Sequence, residues 1–85
     1  MSTLPGETHT VRAVDVGLDE GWLHVSLADG RRISVPLAWF PRLYGATAEQ
    51  RRNWGLIGRG IGIHWPDIDE DLSVAGLLAG NRPGP

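Results

Sequence analysis

The sequence predicts an α+β fold: an antiparallel three-stranded meander plus a second β-hairpin, with two or three short helices. Three observations carry that prediction. Between residues 11 and 36 apolar side chains alternate with polar or small ones in three short runs, the mark of half-buried antiparallel strands. Asp29-Gly30 separates the second run from the third, and Asp-Gly is a strong hairpin signal because it tolerates positive φ. Beyond residue 36 the period of two gives way to short segments cut by Pro and Gly, one of them headed by a capping box at Thr47-Ala48-Glu49-Gln50.

Each element follows from its residues. Val14, Val16 and Leu18 alternate with Ala13, Asp15 and Gly17, which makes a first strand with one apolar face. Leu23, Val25 and Leu27 alternate with Trp22, His24 and Ser26 in a second, and Ile33 and Val35 with Arg32 and Ser34 in a third. A short loop at Asp19-Glu20-Gly21 joins the first two, and a two-residue type I′ turn at Asp29-Gly30 joins the last two. Leu37, Phe40, Leu43 and Tyr44 have helical spacing, but Pro41 falls among them, so one short turn or 3₁₀ segment is expected, ended by Gly45. The capping box then opens a helix from about Ala48 to Asn53.

Trp54 to Trp65 holds four glycines, too many for a helix. It reads as a second hairpin, Trp54–Ile57 and Ile61–Trp65 about a turn at Gly58-Arg59-Gly60, with Ile61, Ile63 and Trp65 on one face and Pro66 ending the strand. Ser73 to Ala79 is expected as a last helix, with Val74, Leu77 and Leu78 on its packed side and Gly80 as its stop. Asp69, Glu70 and Asp71 stand just ahead of it, where the helix dipole favours anions. The flanks, MSTLPGE and NRPGP, lack periodicity. Residues 1–9 and 81–85 are therefore expected to be flexible ends of a single domain over 10–80.

Length and composition exclude much. A chain of 85 residues is too short for a TIM barrel or a full dinucleotide-binding fold. With no cysteine there is no disulfide, thiolate zinc site or cysteine nucleophile. No apolar run approaches the ~18–20 residues of a membrane span, and the first residues show no secretory pattern, so a cytoplasmic location without membrane partners is expected. The net charge of −2 hides a segregation. All eight basic residues are Arg, and six of them fall between 31 and 59 with only Glu49 against them, while both flanks are acidic. Such a pattern serves either internal compensation or a basic face for an acidic partner. An acidic pI makes nucleic acid the weaker version of the second.

No motif assembles a recognisable active site. Asp67, Asp69 and Asp71 match the first, third and fifth positions of an EF-hand loop, but Leu72 stands where Gly must turn and Leu78 where a bidentate Glu is needed. His64 lies close to several carboxylates, yet one His with flexible carboxylates is a poor ligand set. It is expected to be bonded to a neighbouring carboxylate or carbonyl. Gly58-Arg59-Gly60-Ile61-Gly62 lacks the third glycine and the following helix of a phosphate loop. Ser26, Ser34 and Ser73 lack a nucleophile elbow, and no His is spaced to suggest a triad. No cofactor, metal or catalytic residue is expected, and the chain is not expected to be an enzyme. Four Trp in so small a chain are unusual. Each can bury ~150–250 Å². Either all pack the core, or Trp22 or Trp39, with Phe40, stays partly exposed as an interface anchor. Trp22 is the better candidate, because Leu23, Val25 and Leu27 point the other way.

The stretch GIGIHWPDIDEDLSVAGLLAG from Gly60 to Gly80 resembles the closing signature of a bacterial family known as domain of unknown function 2442. The upstream elements fit as well: the DG turn at Asp29-Gly30, VPL-x-x-FP-x-L from Val35 to Leu43, and A-T-x-E-x-R from Ala46 to Arg51. The resemblance implies a small α+β domain without established activity, in a family sometimes fused to a helix-turn-helix and often encoded beside another small protein. It implies an antitoxin-like partner of that neighbour. It carries over His64, Trp65, Pro66, Asp67, Asp69, Glu70 and Asp71 as signature positions with an architectural role. The expected function is an interaction or regulatory module, its interface drawn from Trp22, Trp39, Phe40, Arg31, Arg32, Arg51, Arg52 and Arg59. A homo-oligomer is a further expected form, through exposed strand edges. Two rivals are a nucleic-acid regulator using the central Arg residues and a metal-binding or enzymatic site around His64 and the acidic run.

Overall fold

The computed structural model describes residues 11–80. The flexible ends expected at residues 1–9 and 81–85 lie outside the described residues. The fold is α+β, with two three-stranded antiparallel sheets and three short helices. Strands β1 (Ala13–Leu18), β2 (Trp22–Leu27) and β3 (Arg32–Pro36) form the first sheet, in the order β1-β2-β3. A 3₁₀ turn at Leu37–Trp39 leads into α1 (Pro41–Tyr44) and α2 (Ala48–Arg52). Strands β4 (Gly55–Ile57), β5 (Gly62–Trp65) and β6 (Glu70–Ser73) form the second sheet in the order β4-β5-β6, and α3 (Val74–Leu78) follows directly.

The meander runs as its alternation predicts, with two differences. The hairpin at Asp29-Gly30 is not a two-residue type I′ turn. Leu27 N–H donates to Arg31 O, and Gly30 alone takes positive φ, so the loop is Ala28-Asp29-Gly30. The apolar pattern requires this. A two-residue loop would set inward Val25 opposite outward Ser34, whereas the observed register pairs Val25 with Ile33 and His24 with Ser34. The second difference is a β-bulge at Val14, between the pairs Ala13–Leu27 and Asp15–Ser26. The bulge shifts the strand's phase, so Ala13 is buried and Val14 is exposed, against the expected Val14-Val16-Leu18 face.

The segment after the meander corrects a second group of expectations. Pro41 does not break a helix; it starts one, at the position where its missing N–H costs nothing. The capping box forms as expected, with Gln50 N–H donating to Thr47 Oγ1 and Thr47 N–H to Gln50 Oε1. The helix it opens ends at Arg52, with Asn53 as its cap. The second hairpin is present, but Ile61 lies outside β5 in helical φ/ψ and is exposed rather than sharing the face of Ile63 and Trp65. Glu70 and Asp71 do not lead the last helix. They belong to β6, which pairs with β5 and completes a sheet, and the helix is capped by Ser73 Oγ, which accepts from Gly76 N–H at 2.9 Å. Leu78, expected on the packed side, is exposed.

The core lies where the two sheets and the connecting segment meet. Leu23, Val25, Leu27 and Val35 come from the first sheet, and Ile63, Trp65 and Leu72 from the second. Leu37, Phe40 and Leu43 enter from the connection, and Val74 and Leu77 from α3. The turn before β5 comes very close to the first sheet where Gly60 meets Ala13. A Cβ on Gly60 would stand 2.3 Å from Ala13 O, and Gly60 has φ +103°, a conformation that favours glycine. Arg12 closes the same corner by donating from Nη1 to Gly58 O at 2.8 Å. Gly60→Ala is therefore expected to lose about 2 kcal/mol or more of stability through overpacking and backbone strain, read from urea unfolding. A loss below about 0.5 kcal/mol, the size of an ordinary surface substitution, would contradict the close approach.

Candidate functional site

The signature string folds as a hairpin. Trp65 ends β5 opposite Glu70 of β6, and Pro66 to Asp69 form the loop between them. Pro66 has the fixed φ that suits the start of a turn. Asp69 takes φ +52°, a left-handed conformation that Asp tolerates better than most residues. Trp65 is fully buried, and its indole N–H donates to Arg51 O at 3.0 Å, which gives the buried ring its polar partner.

The polar members of the string are engaged within the fold. His64 Nδ1 meets Asp71 Oδ1 directly across the β5–β6 pair. Asp67 Oδ2 accepts from Asn53 Nδ2 at 3.1 Å. Arg42 Nη1 donates to Asp69 O at 2.7 Å and lies 3.9 Å from Glu70 Oε1. His64 and Asp71 therefore come together, but Asp67 and Asp69 turn to other partners. Among the described residues no three His, Asp or Glu side chains gather as a metal site would need.

Partial burial lifts the Glu70 carboxyl above its ordinary value; Arg42 acts against that shift, and Asp71 and Asp69 add to it. A carboxyl raised on folding takes up its proton in the folded chain first, so stability gains as pH falls through its midpoint. Glu70→Gln is accordingly expected to leave the urea midpoint at pH 7 unchanged or higher, with the difference closing as pH falls towards the raised midpoint. A clearly lower midpoint at pH 7 would mean that the Arg42 contact outweighs burial.

The residues expected at an interface divide sharply. Phe40 is buried in the core and cannot be an exposed anchor; it packs edge-on against half-buried Trp39, with ring centroids 6.4 Å apart. Trp22 is 47% exposed on the outer face of the meander. Arg51 is not a free cation. Its Nε and Nη2 donate to Leu43 O and Tyr44 O at 3.0 and 2.6 Å, satisfying carbonyls at the end of α1. Arg31 is held by Asp29 at 2.9 Å, an instance of internal compensation. Arg32, Arg52 and Arg59 are exposed on three separate elements. A groove of about 390 Å³ runs between β1 and α2, lined among others by Leu18, Glu20, Arg52 and Trp54.

One constellation contradicts the sequence reading that no His is placed for a triad. His24 Nδ1 lies 2.7 Å from Ser34 Oγ, and His24 Nε2 lies 2.9 Å from Asp19 Oδ2. The signal was present in the alternation: His24 and Ser34 are both outward positions on adjacent strands. Only the register of the hairpin makes them opposite each other.

Comparison with known proteins places this geometry. The model of the family described as "Protein of unknown function (DUF2442)" matches residues 13–83. The chain belongs to the DUF2442 family. This DUF2442 domain is similar to the crystal structure of a protein of unknown function from Rhodospirillum rubrum, with 31% identity and a TM-score of 0.78, the match covering 89% of this chain and 94% of that one. It is also similar to the solution structure of an uncharacterized protein from Chromobacterium violaceum, with 31% identity and a TM-score of 0.73, covering 86% of this chain and 69% of that one. No curated protein matches. Among the described residues no helix is long and apolar enough to cross a membrane.

Proposed function

We propose that this DUF2442 domain is a protein-interaction module and that its partner adds a strand to the edge of β4, which pairs only with β5 among the described residues. The observation behind this reading is a run of large aliphatic side chains on that edge. Leu56 and Ile57 of β4 are 41% and 42% exposed, and Ile61 beside them is 42% exposed. An open edge is a template for pairing with another chain, and folds usually blunt theirs. The other three edges here carry such devices: a bulge in β1, Arg32 and Pro36 in β3, and Glu70 and Asp71 in β6. β4 is Gly-Leu-Ile, with no charge and no proline.

The partner in this reading is a small protein encoded by an adjacent gene, held as an antitoxin-like or regulatory pair. Main-chain hydrogen bonds supply affinity in such strand addition, and the alternate side chains supply selection. The scaffolding role of His64, Trp65, Pro66, Asp67, Asp69, Glu70 and Asp71 complements it, because their contacts hold β5 in place and β5 is the strand that presents β4. Co-expression of the full chain with the neighbouring gene product is expected to yield a complex that Ile57→Lys weakens at least 10-fold while Arg59→Gln does not. A chain that elutes alone, or a complex indifferent to Ile57→Lys, would overturn the assignment of this edge.

A further inference from the structure

Asp19, His24 and Ser34 form a continuous hydrogen-bonded line on the outer face of the first sheet. Asp19 is fixed before it meets the ring. Its Oδ1 accepts from Gly21 and Trp22 N–H at 3.1 and 2.9 Å, and its Oδ2 faces His24 Nε2. The bond to His24, followed by the Gly21 amide, holds the Asp19 carboxyl below the ordinary carboxylate range. An ionised carboxylate only accepts hydrogen bonds, so Nε2 carries the ring proton. In the neutral ring Nδ1 is then the acceptor, and the Ser34 hydroxyl donates to it. That is the order of roles in a serine nucleophile, its base and the carboxylate that orients the base.

The strand register adds two features. Leu27 N–H donates to Arg31 O, and Leu37 N–H to Gly21 O. The alternation between those two bonds makes His24–Ser34 a non-hydrogen-bonded pair, whose side chains stand closest. It also turns the Ser34 N–H away from β2, leaving an amide donor beside Oγ. On the other side of His24 stands Gly17, which has no side chain to cover the ring. Ser34 is exposed, and the His24 side chain is 21% exposed. The same face of the sheet carries Arg32 on one side of Ser34 and the Trp22–Pro36 pair on the other.

We propose that Ser34 is a nucleophile that accepts acyl groups from activated esters or thioesters, with His24 as its base and Asp19 as the positioning residue. Ser34 Oγ attacks the carbonyl carbon while its proton passes to His24 Nδ1. The tetrahedral adduct collapses, the bond to the leaving group breaks with its electron pair, and the leaving group takes the proton from His24. An ester on Ser34 remains. Water, deprotonated by the same nitrogen, then releases the carboxylic acid and restores the hydroxyl. Trp22 and Pro36 suit an apolar acyl group, and the Arg32 guanidinium suits an anionic leaving group. This site is separate from the β4 edge, and neither depends on the other.

The test uses the full chain with p-nitrophenyl butyrate and with a fluorophosphonate probe, followed by mass spectrometry of the intact protein and its peptides. A single adduct on Ser34 is expected, absent in Ser34→Ala and present as a thioester after butyrate transfer to Ser34→Cys. His24→Gln is expected to slow labelling at least 10-fold, in line with general-base contributions. Asp19→Asn is expected to slow it, because the ring loses the acceptor that fixes its tautomer, and Asp19→Glu is expected to restore part of the rate. Circular dichroism establishes that each variant is folded. Labelling of Ser34→Ala at the wild-type rate, adducts scattered over several residues, or a folded His24→Gln that labels as fast as wild type would overturn the proposal.

Discussion

Burial of Trp65 is the constraint on which the remaining structure depends. A fully buried indole needs apolar walls on every side and one acceptor for its N–H. The walls come from both sheets and from α3, and the acceptor is Arg51 O at the end of α2. Arg51 in turn satisfies the carbonyls that end α1. One ring therefore ties the second sheet to the two helices that leave the first. The polar residues around it hold the hairpin that delivers it: His64 to Asp71 across the strands, Asp67 to Asn53, and Arg42 to the Asp69 carbonyl. The run of acids that invites a metal-site reading makes these contacts within and beside the hairpin.

The outward chemistry lies elsewhere. The meander presents Trp22, His24, Ser34 and Arg32 on one surface, and β4 presents aliphatic side chains on an edge that pairs only with β5 among the described residues. The signature string faces neither directly, yet β5 carries the pairing that positions β4.

The meander, the capping box, the second hairpin and the Gly80 stop were legible because each has a local cause: a period of two, a Thr-x-x-Gln spacing, a glycine cluster, a left-handed residue after a helix. β6 was not legible. Glu70-Asp71-Leu72-Ser73 has one buried apolar residue and becomes a strand only because β5 is there to pair with it. The bulge at Val14 was equally hidden, since it sets Ala13 against Gly60, a residue far away in the chain. The buried state of Phe40 and the spent guanidinium of Arg51 are tertiary facts of the same kind. Register decided the Asp19-His24-Ser34 line. A loop one residue shorter would set His24 opposite Val35, and no reading of turn chemistry alone separates the two.

The central claim is that one shared core, organised by Trp65, makes the two sheets a single cooperative unit. Native-state hydrogen exchange tests it most directly. The Val25 amide in the first sheet and the Ile63 amide in the second are expected to exchange only through the same global opening, with equal free energies that match urea unfolding. If Ile63 and Leu72 exchanged through a cheaper opening while Val25 stayed protected, the second sheet would be a separable flap and the account would fail.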